Sequence, residues 1–538
     1  MLIPHAGLES DEAVFGLATF GGLPREFSIS VFRHQFPLMI FYYAGSLKGL
    51  LYWPVLHLFG PNVWSIRLPM ALAGAATVAL TFDFVRHISS RTVAAIAALM
   101  LATDPCFLIT NTFDWGPVAM EHLLLMSSLA LFARRRPQLA CFVLGLGLWN
   151  KAVFIWALTG VAAGGLLAYL PAVRRSLPDT RAVLRCALAF VLGCMPLALY
   201  NIRRPASTLR SNVHLSFEGF QAKVATLRYL LDGSDLFGVV TRMDGVADHS
   251  GPQFHGLFLP AVLASIAVCV WKMRSSEFKP ALFASAFCTG SLLLISITKY
   301  TGAAHHMVLL YPMPQLLVAI AVRSVRRKYL PALAASILVS ANLLVFHTYL
   351  NQLQRTGGAG LFTDAISTLS MTVTDGADHV YTIDYGLYEN LWLLHSGRLQ
   401  VQPLWTLGQP VTETEQTLHD PRALFVDHVP GREYYPGRAN VWMRLQAGSD
   451  YEELRCKPFM IREGVPSCRY SATAPDLSRN SPPGSHSNFV FLPDYRSVSR
   501  NTFSSTPRPA QQPASLPFMT TANTLFTPCC AARVAISS

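Results

Sequence analysis

The stretch Thr92–Arg136 reads TVAAIAALMLATDPCFLITNTFDWGPVAMEHLLLMSSLALFARRR. Residues 92 to 111 are almost wholly apolar, as are 115 to 133; Asp114 lies in the gap between them, and Arg134, Arg135 and Arg136 close the second segment. Crossing about 30 Å of hydrocarbon takes roughly 20 mostly apolar residues in a helix. Two such segments on either side of a short gap predict a pair of transmembrane helices. An ionisable residue held at the membrane boundary is costly, which makes Asp114 a candidate functional residue.

The same pattern recurs on both sides. Ten segments qualify: 69 to 86, 92 to 111, 115 to 133, 138 to 149, 152 to 171, 183 to 202, 256 to 272, 280 to 297, 306 to 322 and 330 to 349. The 538 residues are 51% hydrophobic and 14% charged, with a mean hydropathy of +0.34, whereas soluble domains carry roughly 25% charged residues. The expected fold class is an all-α polytopic membrane bundle of about ten transmembrane helices, followed by a small extracytoplasmic α/β domain and a disordered tail.

The formal net charge of +12 could suggest nucleic acid, but the basic residues cluster in alternate connections. These clusters are Arg86 and Arg91; Arg134 to Arg136; Arg174, Arg175 and Arg181; Lys272, Arg274 and Lys279; and Arg323, Arg326, Arg327 and Lys328. All five fall on one side of a ten-span topology, and an excess of Lys and Arg marks the cytoplasmic side. No nucleic-acid partner is therefore expected. Asp11, Asp114, the loop 203 to 255, Lys299, His305, His306 and the C-terminus all face outward in this topology. Six of the ten cysteines lie in or beside spans, where a thiol acts as a small apolar filler. Cys456 and Cys468 face outward and could form a disulfide.

Residues 1 to 67 form the first outer loop. The apolar run from Phe36 to Tyr43, interrupted later by Lys48 and Pro54, predicts one or two helices lying along the interface, where aromatic rings such as Trp53 and Trp64 are favoured. An eleventh span from 36 to 59 is the competing reading. In the large outer loop, Phe217, Phe220, Val224, Leu227 and Leu231 recur at helical spacing and predict an amphipathic helix. Residues 351 to 473 predict the α/β domain, with strands at 379 to 384 and 424 to 428 and a helix at 388 to 396, and 474 to 538 the tail. Residues 1 to 350 are the membrane domain.

Three motifs in order carry a family resemblance: Leu8 to Phe15 (LESDEAVF), Val63 to Pro69 (VWSIRLP) and Phe113 to Pro117 (FDWGP). The order resembles the polyprenyl-phosphate-dependent glycosyltransferases of the type C fold, in the branch of the protein O-mannosyltransferases and lipid A aminoarabinose transferases. The resemblance covers about residues 8 to 350. It implies that Asp11, followed by Glu12, acts as catalytic base or orients the acceptor, and that Asp114 assists it. The chain departs from the family in having no transmembrane helix ahead of the acidic pair. Residues 1 to 10 are too few to form one, so any such helix is expected upstream of Met1.

The residue types agree with that chemistry. An acceptor hydroxyl becomes a useful nucleophile when a carboxylate within hydrogen-bonding reach takes its proton, and a departing phosphate needs cationic partners. Candidate donor-phosphate partners are Lys151, Arg203, Arg204, Lys299, Tyr300, His305 and His306. The plainer reading of each Lys or Arg is an interfacial anchor, and of the acids a helix cap or turn. No metal site is expected from the cysteines or from adjacent histidines alone; the sequence names no cofactor and leaves a divalent cation open. The reading is an integral membrane enzyme of the bacterial inner (plasma) membrane, its site and C-terminus facing outward. It moves a sugar from a polyprenyl-phosphate donor to a lipid, glycan or protein acceptor with inversion. A transporter or flippase is the main rival, and a non-catalytic scaffold the second.

Overall fold

The computed structural model describes residues 2–20, 26–31, 34–212, 217, 219–234, 240, 256–271, 278–298, 303–325, 327–358, 360–373, 379–404 and 423–428. Lys299, Tyr300, Cys456, Cys468 and the tail from 474 lie outside the described residues. The chain divides into two units, the first ending at Phe362 and the second beginning at Thr363.

The first unit opens with α1 (Ser10–Leu17), then β1 (Phe27–Val31), β2 (His34–Phe41), β3 (Ala44–Gly45) and α2 (Leu47–Phe59). The three strands form an antiparallel sheet in the order β1-β2-β3. This corrects the expectation for 36 to 43, which is a strand and its turn instead of an interfacial helix. It also excludes a single helical span over 36 to 59. The β-branched and aromatic residues of this stretch suit a pleated strand as well as an interface.

All ten apolar segments fall on helices. They are α3 (Val63–Ile88), the pair α4 (Arg91–Thr103) and α5 (Pro105–Thr112), α6 (Val118–Ala133), α7 (Pro137–Asn150), α8 (Ile155–Ser176), and the pair α9 (Thr180–Gly193) and α10 (Met195–Arg203). After α11 (Ser207–Asn212) and α12 (Phe220–Asp232) come α13 (Phe258–Trp271), α14 (Phe278–Ile297), the pair α15 (Ala304–Met307) and α16 (Met313–Arg323), and α17 (Leu330–Thr356). Among the described residues four helices are long and apolar enough to cross a membrane unbroken, and up to seven spans result if each bent pair counts as one. The protein is an integral membrane protein.

Three predicted spans are therefore bent: by 62° at Asp104, by 72° near Cys194 and by 45° before Met313. At the first break Asp104 caps α5, its Oδ1 accepting from the Phe107 N–H at 3.0 Å, and Pro105 has no N–H to continue the ladder. Gln315 of α16 donates to the other Asp104 oxygen at 3.3 Å, so the break is held from across the bundle.

At the end that carries the first two basic clusters, Arg86 and Arg134 both reach Asp83 Oδ1, at 2.7 and 2.9 Å. Helices α7 and α9 approach closely through glycine. A Cβ at Gly145 would strike the Phe190 carbonyl, and one at Gly193 the Phe142 carbonyl. The amphipathic helix is α12, but its buried face is Lys223, Leu230 and Leu231. Phe217 ahead of it, and Phe220 and Val224 on it, are exposed. Lys223 Nζ donates to the carbonyls of Ile295 (3.1 Å), Ser296 (3.3 Å) and Thr298, where α14 ends.

In the second unit, α18 (Ala365–Val373) precedes β4 (His379–Thr382), α19 (Tyr388–Leu394), β5 (Val401–Pro403) and β6 (Ala423–Val426). The strands are parallel in the order β5-β4-β6. Ile366, Leu369, Val380, Leu391, Val401 and Val426 form its core.

The glycine contact yields a stability prediction. Gly145→Leu or Gly193→Leu should destabilise the protein by about 1–3 kcal/mol through overpacking. Gly165→Ala, whose Cβ would meet only the Val173 side chain at 3.8 Å, should be near neutral. Thermal unfolding of the purified proteins in detergent would check both.

Candidate active site

Glu9 begins the site by capping α1. Its side chain accepts from the Asp11 N–H at 2.7 Å, while Glu12 Oε2 accepts from the Glu9 N–H at 3.0 Å. This reciprocal cap leaves Asp11 and Glu12 on the first turn, in different surroundings. Glu12 is bound in a fork by Arg67, Nε to Oε1 and Nη2 to Oε2, both at 2.7 Å, with neither side chain exposed. Arg67 donates its remaining hydrogens to the carbonyls of Ile3 (2.9 Å), Ala6 (2.8 Å) and Gly7 (2.5 Å). Its guanidinium also lies 4.3 Å from the centre of the Phe113 ring. The second acid of the pair, expected among the catalytic residues, thus has both carboxylate oxygens bound by Arg67.

Asp114 sits in a turn with φ +36°, a left-handed conformation that a non-glycine residue rarely adopts, and Gly116 follows at +75°. The turn is held from two sides. Asp114 Oδ1 accepts from the Ala119 N–H at 2.7 Å, and Oδ2 lies 2.6 Å from Lys48 Nζ. Lys48 also donates to the Gly116 carbonyl at 3.1 Å, lies 4.8 Å from the centre of the Phe15 ring, and is fully buried. Lys48 had no assigned role in the sequence reading beyond interrupting an apolar run. Being the one lysine in that run was the available signal, since a buried ammonium requires an anion.

Lys151 is positioned by the small sheet. Its backbone bridges to Ala44, and the Ala152 N–H donates to the Tyr43 carbonyl at 2.7 Å. Gly45 packs against Trp149, whose Nε1 donates to the Leu38 carbonyl at 2.8 Å. The Lys151 side chain is 4% exposed, and its Nζ lies 3.2 Å from where a Gly116 Cβ would be. Among the described residues the Lys151 ammonium has no hydrogen bond and no ion pair. It nevertheless acts electrostatically on Asp11, Asp114, His305 and His306.

Asp11 keeps part of its surface exposed, and among the described residues its carboxylate has no hydrogen-bond partner. Burial pushes its pKa above the ordinary carboxylate value; Lys151 and Lys48 oppose the rise, and Asp114 adds to it. Burial likewise raises Asp114, against Lys48, and Glu12, against Arg67. The His305 and His306 rings lie 4.0 Å apart, tilted by 52°, with Trp115 4.6 Å from His305 and Trp156 5.8 Å from His306. Arg203 and Arg204 are exposed and engaged elsewhere. Arg203 lies over Phe27 at 5.2 Å, and Arg204 pairs with Glu26.

The structure thus brings together Asp11, Asp114, Lys151, His305 and His306, and adds Lys48. It does not bring Arg203 or Arg204 into hydrogen-bond contact with them. Among the described residues no group of three His, Cys, Asp or Glu side chains is arranged to hold a metal ion.

A family model described as dolichyl-phosphate-mannose-protein mannosyltransferase matches residues 47–200, the stretch containing Lys48, Arg67, Asp114 and Lys151. The crystal structure of ArnT from Cupriavidus metallidurans in the apo state superimposes with a TM-score of 0.52 at 13% identity, covering 87% of this chain and 94% of that one. Residues 47–200, less than a third of the chain, thus resemble that mannosyltransferase family, and the fold resembles that of ArnT. A Bacillus subtilis (strain 168) protein, YkcB, provisionally named a mannosyltransferase, is 30% identical over 159 residues. That match spans 28% of this chain and 22% of the relative's length. A second Cupriavidus metallidurans ArnT structure, described as bound to undecaprenyl phosphate, aligns with a TM-score of 0.48 at 15% identity, covering 79% of this chain and 86% of that one.

The two buried ion pairs differ in kind from surface pairs, and truncation should reveal this. Arg67→Ala leaves a buried carboxylate and three carbonyls without partners and should cost about 3–5 kcal/mol. Arg204→Ala, at an exposed pair, should cost at most about 1 kcal/mol. Detergent-solubilised thermal denaturation of the two variants would measure the contrast.

Proposed function

We propose that this protein transfers a sugar from a polyprenyl-phosphate donor to an extracytoplasmic acceptor, with Asp11 as base and inversion at the anomeric carbon. The observation that carries the reading is the pairing pattern. Glu12 and Asp114 are neutralised by Arg67 and Lys48, while Asp11 and Lys151 are left without a bonded counter-ion among the described residues. A carboxylate and an ammonium held ready in one pocket match the two demands of the reaction.

The acceptor hydroxyl gives its proton to Asp11, and its oxygen attacks the anomeric carbon on the face away from the phosphate. The bond from that carbon to the phosphate oxygen breaks, and the phosphate leaves with its electron pair. Lys151 meets the charge that develops there. Its nearness to Gly116 lets the phosphate approach backbone without a side chain in the way. Lys48 holds Asp114 and the strained turn, so Asp114 serves by shaping the pocket and raising the basicity of Asp11.

The family model's dolichyl-phosphate-mannose description supports a lipid-linked donor. The apolar helices around the site supply a route for its tail. The acceptor approaches from the outer face of a bacterial inner membrane, on the side opposite the basic clusters. The acceptor is a lipid, glycan or protein.

Asp11→Asn should abolish transfer of radiolabelled sugar from polyprenyl-phosphate donors, while unfolding at neutral pH is unchanged or slightly delayed, because an amide is easier to bury than a charge. Retained turnover would remove Asp11 as base. The raised pKa of Asp11 has a pH consequence, since the base acts only when ionised. Activity should be lost as pH falls through that pKa, and the midpoint of the acid limb of kcat/KM should lie above about 3.9, the ordinary aspartate value. A pH–rate profile at saturating acceptor would check this.

A further inference from the structure

One buried acid has no part in the chemistry above. Glu121 lies in the first turn of α6, on the far side of the Asp114–Gly116 turn from α5, and is 1% exposed. Its Oε1 is buried without a hydrogen-bond partner among the described residues. Its neighbour His122 is fully employed: Nε2 donates to the Val308 carbonyl at 2.8 Å and Nδ1 lies 3.2 Å from the Asn111 amide. The charges that act on Glu121 are those of the pocket, Lys151 first and then Asp114.

A carboxylate kept for stability alone would be paired as Glu12 and Asp114 are, because an unpaired buried acid is costly. An unused buried acceptor under the influence of Lys151 and Asp114 is instead suited to a ligand's donors. Of the parts of a polyprenyl-phosphate sugar, the lipid tail carries no donor and the ionised phosphate repels a carboxylate. The sugar hydroxyls alone remain, and two adjacent hydroxyls can bond to one carboxylate. Glu121 is more buried than Asp11, so the acceptor, arriving from water, meets Asp11 first.

We propose that Glu121 is a specificity-determining residue that accepts hydrogen bonds from hydroxyl groups of the transferred sugar. The inference rests on the glycosyltransferase reading above. It also gives the donor a direction, with phosphate at Lys151 and sugar ring toward α6.

The test compares the parent sugar donor with its monodeoxy analogues in wild type, Glu121→Gln and Glu121→Ala. Wild type should disfavour at least one monodeoxy donor by roughly 10- to 100-fold in kcat/KM, the worth of a hydrogen bond to a charged group. Glu121→Ala should use the parent and that analogue equally, and Glu121→Gln should keep a reduced preference through its amide oxygen. The ratio is internal to each variant and independent of its folded fraction. Sugar-free polyprenyl phosphate should inhibit all three proteins alike.

Discrimination retained at every position by Glu121→Ala would overturn the assignment. So would loss of phosphate inhibition, which would make Glu121 a partner of Lys151, or failure of both variants to insert, which would make it a folding residue. Wild type inert with every donor would remove the glycosyltransferase reading itself.

Discussion

The Arg67 guanidinium, buried between the start of the chain and α3, directs all five of its N–H groups inward. Two grip Glu12, and three collect the carbonyls of Ile3, Ala6 and Gly7. In a medium of low dielectric the alternatives are severe, because removing either ion leaves the other uncompensated. The segment from Ile3 to Glu12 is therefore tied to the bundle at one point, and Asp11, next in line to Glu12, inherits its position. Lys48 does the same for the turn at Asp114. Two ion pairs thus build a frame around a third carboxylate and a second ammonium.

Secondary structure completes that frame. The sheet of β1 to β3 is small, but its last strand bridges to Lys151 through Ala44, and Gly45 lies against Trp149. The site is accordingly assembled from the segment ahead of α3, the turn between α5 and α6 and the break between α7 and α8. Irregular backbone at such depth is tolerated where it is enclosed by protein or lines a cavity. Here the irregular segments are the ones that carry Asp114 and Lys151.

The membrane character, the helical segments and the acidic motifs were legible in the sequence because each is a local signal. Hydropathy over twenty residues needs no partner to be read, and the order of the motifs around Asp11, Arg67 and Asp114 carried the family resemblance. What escaped depends on distant contacts. Lys48 meets Asp114 66 positions away, and no periodicity announces such a pair. The run from 36 to 43 reads as an interfacial helix because its aromatic and apolar residues follow one another without alternation, a pattern that suits the strand at 34 to 41 equally. Arg203 and Arg204 looked equivalent to Lys151 as cations near a span end. Only packing distinguishes an ammonium enclosed beside Gly116 from guanidiniums at the surface near Glu26 and Phe27. Glu121 was hidden inside an apolar span, where one acid barely alters mean hydropathy.

The central claim is that Lys151 is the cation kept for a ligand phosphate, and equilibrium binding of sugar-free polyprenyl phosphate to the purified protein measures it without requiring turnover. Lys151→Gln should weaken binding at least about tenfold, the scale of one lost hydrogen bond to a charged group, whereas Arg204→Gln should bind as wild type does. Equal affinity in Lys151→Gln and wild type would contradict the account.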